Sequence, residues 1–208
     1  SIKSSLIRKV KTDKVDAEEL AKLFFLRPLQ EFVKREDYWF NLKTLSRASV
    51  LLSEQRVTMV NQLTATVEQV MPTYSKVFSN IASDTSLELL IRYSSPHALQ
   101  QAPKDDIMNL IRTCSRRGLK YSQAKYESLL SCIEESKSIG ILLEGLYEVI
   151  RIYAINLKHI NGQIKELEAK IDSLSINIPA INLLATIPGI GKKLAHILAS
   201  EIGDINRF

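Results

Sequence analysis

Leu143, Leu146, Ile150, Tyr153, Leu157, Ile160, Ile164, Leu167, Ile171, Leu174 and Ile178 recur at spacings that alternate between three and four without a miss. On a helix this spacing gathers them into one apolar stripe. A stripe sustained over about five heptads is what two helices need to seat the side chains of one in the holes of the other. Residues 143–178 are therefore expected to form one long helix with a partner, ended by Pro179. Two partners fit the pattern. One is the stretch 37–71 of the same chain, where Leu42, Leu45, Leu52, Met59, Val60, Leu63 and Val70 make a wider, less regular stripe that stops before Pro72. The other is the seam of a second copy, which would make the protein a homo-oligomer through residues 143–178.

The rest of the chain also reads as helix. Only seven glycines and six prolines interrupt 208 residues, and the stretches between them are rich in Leu, Ile, Lys, Glu and Ala. Residues 13–25 carry Ala17, Leu20, Ala21, Phe24 and Phe25 at helical spacing, closed by Arg27-Pro28. Residues 81–135 hold recurrent start signals, Ser95 before Pro96, Ala102 before Pro103 and Ser122 opening a run to Ile133, with Gly118 as a stop. They predict a compact insertion of short helices. The fold class is thus mostly all-α: long antiparallel helices or a coiled coil, a small helical insertion, and a final pair of short helices within 179–208.

Charge and cysteine content narrow the function. A net charge of +5 favours an anionic partner. The positive residues cluster, with Lys3, Arg8, Lys9, Lys11 and Lys14 at one end and Arg112, Arg116, Arg117, Lys120 and Lys125 farther on. Cys114 and Cys132 lack metal-ligand spacing, and His97, His159 and His196 do not complete a site with them, so both thiols are expected to be reduced core residues. No apolar run approaches the roughly 20 residues of a membrane span and no signal peptide is evident, which points to a cytoplasmic protein without a membrane partner.

Two short segments carry chemistry. Residues 183–198 read LLATIPGIGKKLAHIL and resemble the helix-hairpin-helix motif of DNA-binding proteins. Gly189 and Gly191 would permit a tight turn with positive φ and close backbone approach. Amides at the start of the next helix could then face a phosphate, with Lys192 and Lys193 adding charge beside them. The bland alternative is a corner in which the glycines only make the bend. Near the other end, KTDKVDAEELA places Asp13 and Asp16 three residues apart, on one face of a helix. Converging carboxylates hold the Mg²⁺ ions used in phosphodiester chemistry, although paired aspartates at a helix start also simply favour its dipole.

Taken in order, the Lys-Thr-Asp-x-x-Asp-Ala run, a long helix, an insertion, a second long helix and Ile-Pro-Gly-Ile-Gly up to Phe208 resemble the DEDD-type transposases of insertion sequences targeted by a bridge RNA. The resemblance implies a RuvC-like catalytic domain ending within 1–36, a helical connector with coiled coil over 37–178, and the start of a C-terminal transposase domain at 179–208. Asp13 and Asp16 become two of four acidic Mg²⁺ ligands. The other two are expected before Ser1, and a nucleophilic serine after Phe208, so the chain is expected to be an internal piece, inactive alone. The implied function is Mg²⁺-dependent DNA strand cleavage and exchange during transposition, with DNA and a structured guide RNA as partners. A non-catalytic DNA-binding scaffold and a coiled-coil interaction module are the alternatives.

Overall fold

The computed structural model describes residues 13–26, 37–176 and 178–203, and all of its regular elements are helices. The chain divides into two compact units at Glu36/Asp37. In the first, α1 spans Asp13–Leu26. The second begins with α2, Asp37–Val70, a 34-residue helix that runs until Pro72 removes a donor and blocks the next turn.

The insertion follows as α3 (Tyr74–Val77), α4 (Asp84–Arg92), α5 (Pro96–Gln101), α6 (Lys104–Ser115) and α7 (Leu119–Ile139). Its starts are local chemistry. Ser83 and Ser95 cap α4 and α5 by accepting hydrogen bonds from the amides of Ser86 and Ala98, and Pro96 sits in the first turn of α5. Three boundaries differ from the sequence expectation. Arg116, at φ +54°, ends α6, and Gly118 in extended conformation starts α7, so Ser122 lies inside that helix with its hydroxyl donating to Leu119 O at 2.9 Å. Helix α7 also continues past Ile133 to Ile139.

The seam helix α8 spans Glu144–Ser175 and lies along α2. Cross-links fix the direction: Tyr38 donates to Leu174 O, Arg56 to Asn161 Oδ1, and the Ile141 amide to Gln69 O. Early residues of α2 thus meet late residues of α8, and the pair is antiparallel. Of the seam, Ile150, Leu157 and Ile171 are buried within the single chain, whereas Leu143 is exposed at the helix start.

Two apolar clusters hold the pair, one at each end. The larger joins Leu63, Val67, Val70 and Met71 of α2 to the insertion and to Ile150, Ala154 and Leu157 of α8. The smaller joins Leu42 of α2 and Ile171 of α8 to Ile178, Ile181, Ala195 and Ala199. These last residues belong to α9 (Pro179–Ala185) and α10 (Lys192–Ile202) or to the approach to them. Between the clusters no side chain of α2 from Val50 to Gln62, or of α8 from Lys158 to Lys170, is fully buried. Each fully buried Leu or Ile contributes about 1.5–3 kcal/mol, so stability is concentrated at the two ends of the pair.

Candidate nucleic-acid interface

The segment from α9 to α10 is built by a proline and a glycine at defined places. Pro179 occupies the first turn of α9, where a missing amide hydrogen costs nothing. After Ala185 the chain turns through Thr186–Gly191, with the Ile187 amide donating to Leu184 O at 3.1 Å and the Ile190 amide to Ile187 O at 2.9 Å. Gly189 has φ +89°, a conformation that L side chains rarely adopt. Gly191 does not share this need, contrary to the expectation of positive φ at both glycines. It is extended at φ −76°, ψ 166°, because it is the residue that precedes α10. A Cβ there would meet nothing within 4 Å, so Gly191 leaves open space instead of making the turn.

No side chain caps α10; the first helical hydrogen bond is from the Ala195 amide to Gly191 O, at 2.9 Å. The amides before it have no intrahelical acceptor, which leaves the positive end of the helix dipole available to an anion. Lys192 and Lys193 stand in this first turn and are already paired. Lys192 Nζ lies 2.9 Å from Asp172 Oδ2, and Lys193 Nζ lies 3.2 Å from Glu168 Oε1 and 2.9 Å from Ser53 Oγ. All four charged side chains are about half exposed. Exposed pairs of this kind contribute about 0–1 kcal/mol, so a phosphate can replace either carboxylate at little cost.

The far end of α10 is clamped on α2. Glu201 takes two hydrogen bonds from Arg47, at 2.7 and 3.1 Å, and lies 2.5 Å from Lys43 Nζ. These bonds hold the Glu201 carboxyl well below the usual range, at about 2. His196 is buried. Its Nε2 is 3.8 Å from Asp172 Oδ1, beyond hydrogen-bond reach, and burial lowers its pKa. Ser46, Ser49, Glu168, Asp172 and Glu201 belong to no motif of the sequence. The one available signal was on α2, where Ser46, Ser49 and Ser53 interrupt the apolar stripe at helical spacing between Leu42 and Leu63.

The aspartates lie on the other compact unit. Asp13 is the exposed first residue of α1 and Asp16 follows one turn on, while the side chain of Asp16 is outside the described residues. Carboxylate oxygens at this spacing suit a hard cation, but two residues supply only part of the six oxygens Mg²⁺ requires. Among the described residues no group of three His, Cys, Asp or Glu side chains could hold a metal ion. Of the basic clusters, Lys3, Arg8, Lys9 and Lys11 also lie outside the described residues. Arg112, Arg116, Arg117 and Lys120 are exposed near the corner between α6 and α7. Lys125 instead braces the insertion, where it donates to Val77 O and stands 5.5 Å from the Phe78 ring centre. Cys132 is buried, Cys114 is partly buried, and both are free thiols. Among the described residues no helix is long and apolar enough to cross a membrane.

Both ends of the chain match known families. Residues 1–72 match a family model described as transposase, of the DEDD type and IS110 group, and residues 181–208 match one described as transposase of the IS116/IS110/IS902 family. The chain is also similar to an uncharacterized 43.6 kDa protein of insertion element IS110 from Streptomyces coelicolor. The two are 28% identical over 120 residues, which is 58% of this chain and 29% of that protein. The chain therefore spans less than a third of this relative's length, and no solved structure matches it. The two matched segments, which fall on the helix bearing Asp13 and on the turn bearing Gly189, together with the insertion-element relative, support an IS110-family transposase.

Proposed function

We propose that this chain is part of a DNA transposase in which the segment from α9 to α10 is a helix-hairpin-helix that grips the DNA backbone, while Asp13 and Asp16 contribute to a Mg²⁺ site for strand cleavage and exchange. The observation that carries the reading is the uncapped start of α10. It follows a glycine at φ +89°, carries two lysines in its first turn, and lies within a segment matched by a transposase family model. Bound Mg²⁺ would supply Lewis-acid stabilisation of charge on phosphate oxygens. The aspartates would hold the ion through hard oxygen donors. They form part of a ligand set to be completed by residues other than the described ones. Helices α2 and α8, packed as a coiled coil, would set the distance between the hairpin and the insertion. DNA is the proposed partner, with a structured guide RNA and a second copy of the chain as further partners of the assembled transposase. With Ile150, Leu157 and Ile171 already buried within the single chain, a second copy would dock on another face of α8.

A second reading has its own observation. Because Lys192 and Lys193 are paired with Asp172 and Glu168, the hairpin could serve only to fasten α10 to α8. A duplex titration of the double variant Lys192→Ala/Lys193→Ala separates the two. If the lysines meet phosphates, the slope of log affinity against log salt falls by about 0.9 for each phosphate no longer neutralised. An unchanged slope with a lowered melting temperature would leave the fastening role and remove the DNA grip.

A further inference from the structure

The insertion carries the chain's excess of positive charge at one corner. Residues 107–126 hold five basic side chains, Arg112, Arg116, Arg117, Lys120 and Lys125, and no acidic one, which equals the net charge of +5 of the whole chain. The remainder of the chain is therefore neutral in sum. Arg112, Arg116, Arg117 and Lys120 are exposed around the corner from α6 to α7, and among the described residues none of them makes an ion pair. Lys192 and Lys193 at the hairpin differ, since each already faces a carboxylate. Four unpaired cations on one corner raise the local potential and draw polyanions toward it.

The backbone of the corner is not the one its residue types make easiest. Arg116 ends α6 in the left-handed region, at φ 54° and ψ 28°, where a helix usually ends on glycine. A side chain there is strained by its own Cβ. Gly118, two residues on, has φ −72° and ψ 176°, extended backbone that any residue adopts, and a Cβ there would meet nothing within 4 Å. The chain thus places a glycine where the fold needs none and keeps an arginine where glycine would serve the fold better. Packing does not account for the arginine, because its side chain is exposed. What the strained turn provides is position: it breaks the helix between Arg112 and Lys120 and leaves Arg116 and Arg117 at the break. The corner is also fixed in place. The Arg117 amide donates to Ser115 Oγ at 3.3 Å, and the Arg117 guanidinium carbon lies 4.5 Å from the centre of the Tyr121 ring.

The chemistry of the corner narrows its partner. Three of the four cations are guanidinium groups, whose planar forks match phosphate oxygens in pairs. A membrane surface fits less well, since Leu119 is the one large apolar side chain exposed between Arg112 and Lys120, and a membrane-seated face needs several. The phosphates of a nucleic-acid strand supply repeated charge to spaced cations. We propose that the α6–α7 corner is a second nucleic-acid surface, at which Arg112, Arg116, Arg117 and Lys120 bind the phosphodiester backbone of a DNA or RNA strand. It rests on the transposase reading for the class of polymer, and not on the hairpin grip at the other end of the α2 and α8 pair.

The test titrates the 208-residue protein across salt with a short DNA duplex and with an RNA duplex of the same sequence. Arg116→Gly should melt no lower than the unmodified protein, because it relieves the left-handed strain, yet lower the slope of log affinity against log salt by about 0.9. At 0.1 M salt this is a loss of about eightfold in affinity. Arg112→Gln/Lys120→Gln should lower the slope by about twice as much. The control Lys137→Gln/Arg151→Gln removes two cations that already have partners, Glu134 and Glu148, and should leave the slope unchanged. Falls with either duplex support the surface, and the duplex that shows them names the strand. Unchanged slopes with both duplexes in the corner variants, or an equal fall in the control, overturn it. Vesicles of phosphatidylserine that bind the unmodified protein and not those variants, with the slopes unchanged, give the corner to a membrane instead. The hairpin is judged separately: if Lys192→Ala/Lys193→Ala lowers the slope and the corner variants do not, the grip stands and this surface falls. If the unmodified protein binds neither duplex, both fall.

Discussion

The two ends of the α2 and α8 pair are held by different means. At the insertion end, side chains from α2, α3, α4, α6, α7 and α8 interlock around Leu63, Leu89, Ile111 and Leu157. Even its buried tyrosine is satisfied there, with Tyr74 OH 3.1 Å from Ser86 Oγ. At the hairpin end the buried apolar set is smaller, and exposed ion pairs supplement it: Glu201 to Arg47 and Lys43, Lys192 to Asp172, Lys193 to Glu168. Three of the four unpaired buried polar atoms found among the described residues lie there too. The contrast teaches where a surface that exchanges its partners on binding can be placed. A dense apolar core resists rearrangement, whereas exposed ion pairs can exchange one partner for another with little change in free energy.

Truncating one residue in each core sharpens the comparison. Leu157→Ala should cost the upper half of the usual range of about 2–5 kcal/mol, because the side chain is fully buried in the larger core. Chemical denaturation measures this, and a loss below about 1 kcal/mol would deny the large core its part in holding the fold. Ile181→Ala should cost the lower half of the same range, about 2–3 kcal/mol, since the core it joins is small. Amide exchange should then quicken in α9 and α10 while α4 and α6 stay protected; uniform quickening would mean that the two ends unfold as one. Gly140→Ala should cost about 1–3 kcal/mol by overpacking. A Cβ there would stand 2.2 Å from Val70 O and 2.6 Å from Ser136 O, so α2 and α7 must part, and an unchanged melt would show that they part freely.

The smallest effect is a response to acid confined to the hairpin end. Glu201 is held at about 2, below its ordinary 4.5, so its contribution to stability is present above pH 4.5 and fades as pH falls toward 2. His196 is lowered from 6.5 by burial, so its neutral form favours the fold above that value, and the contribution fades as pH drops through 6.5 toward the lower folded value. In the insertion, burial raises Cys132 and Tyr74, which remain neutral throughout. Amide protection, corrected for the pH dependence of intrinsic exchange, should fall in α10 before α4 as pH is lowered from 7 toward 2. The reverse order would contradict the placing of the acid-sensitive groups at one end.

Much of this fold could be read from local sequence. The three-four spacing from Leu143 to Ile178 identified the long helix, and Pro72, Pro96 and Pro179 marked ends and starts by the amide each lacks. The partner of the seam was not legible, because spacing on one helix says what it can pack on and not which chain supplies it. Nothing in the residue type announces Arg116 in the left-handed region, and Gly118 reads as a stop in the sequence while it acts as a start. At the hairpin, the glycines and lysines were visible as a motif. Their carboxylate partners were not, since Glu168 and Asp172 are ordinary solvent-facing residues of α8 until α10 folds against them.

Helix α2 enters both cores without a break. At about 1.5 Å per residue its 34 residues form a strut about 51 Å long, anchored near Leu42 at one end and near Val70 at the other. Geometry makes such a strut a lever. A tilt of about 10° imposed where α10 sits would sweep the opposite tip through roughly 9 Å for a rod of this length. A load applied at the hairpin is therefore felt at the insertion as displacement, and the bending stiffness of one helix sets how much of it arrives.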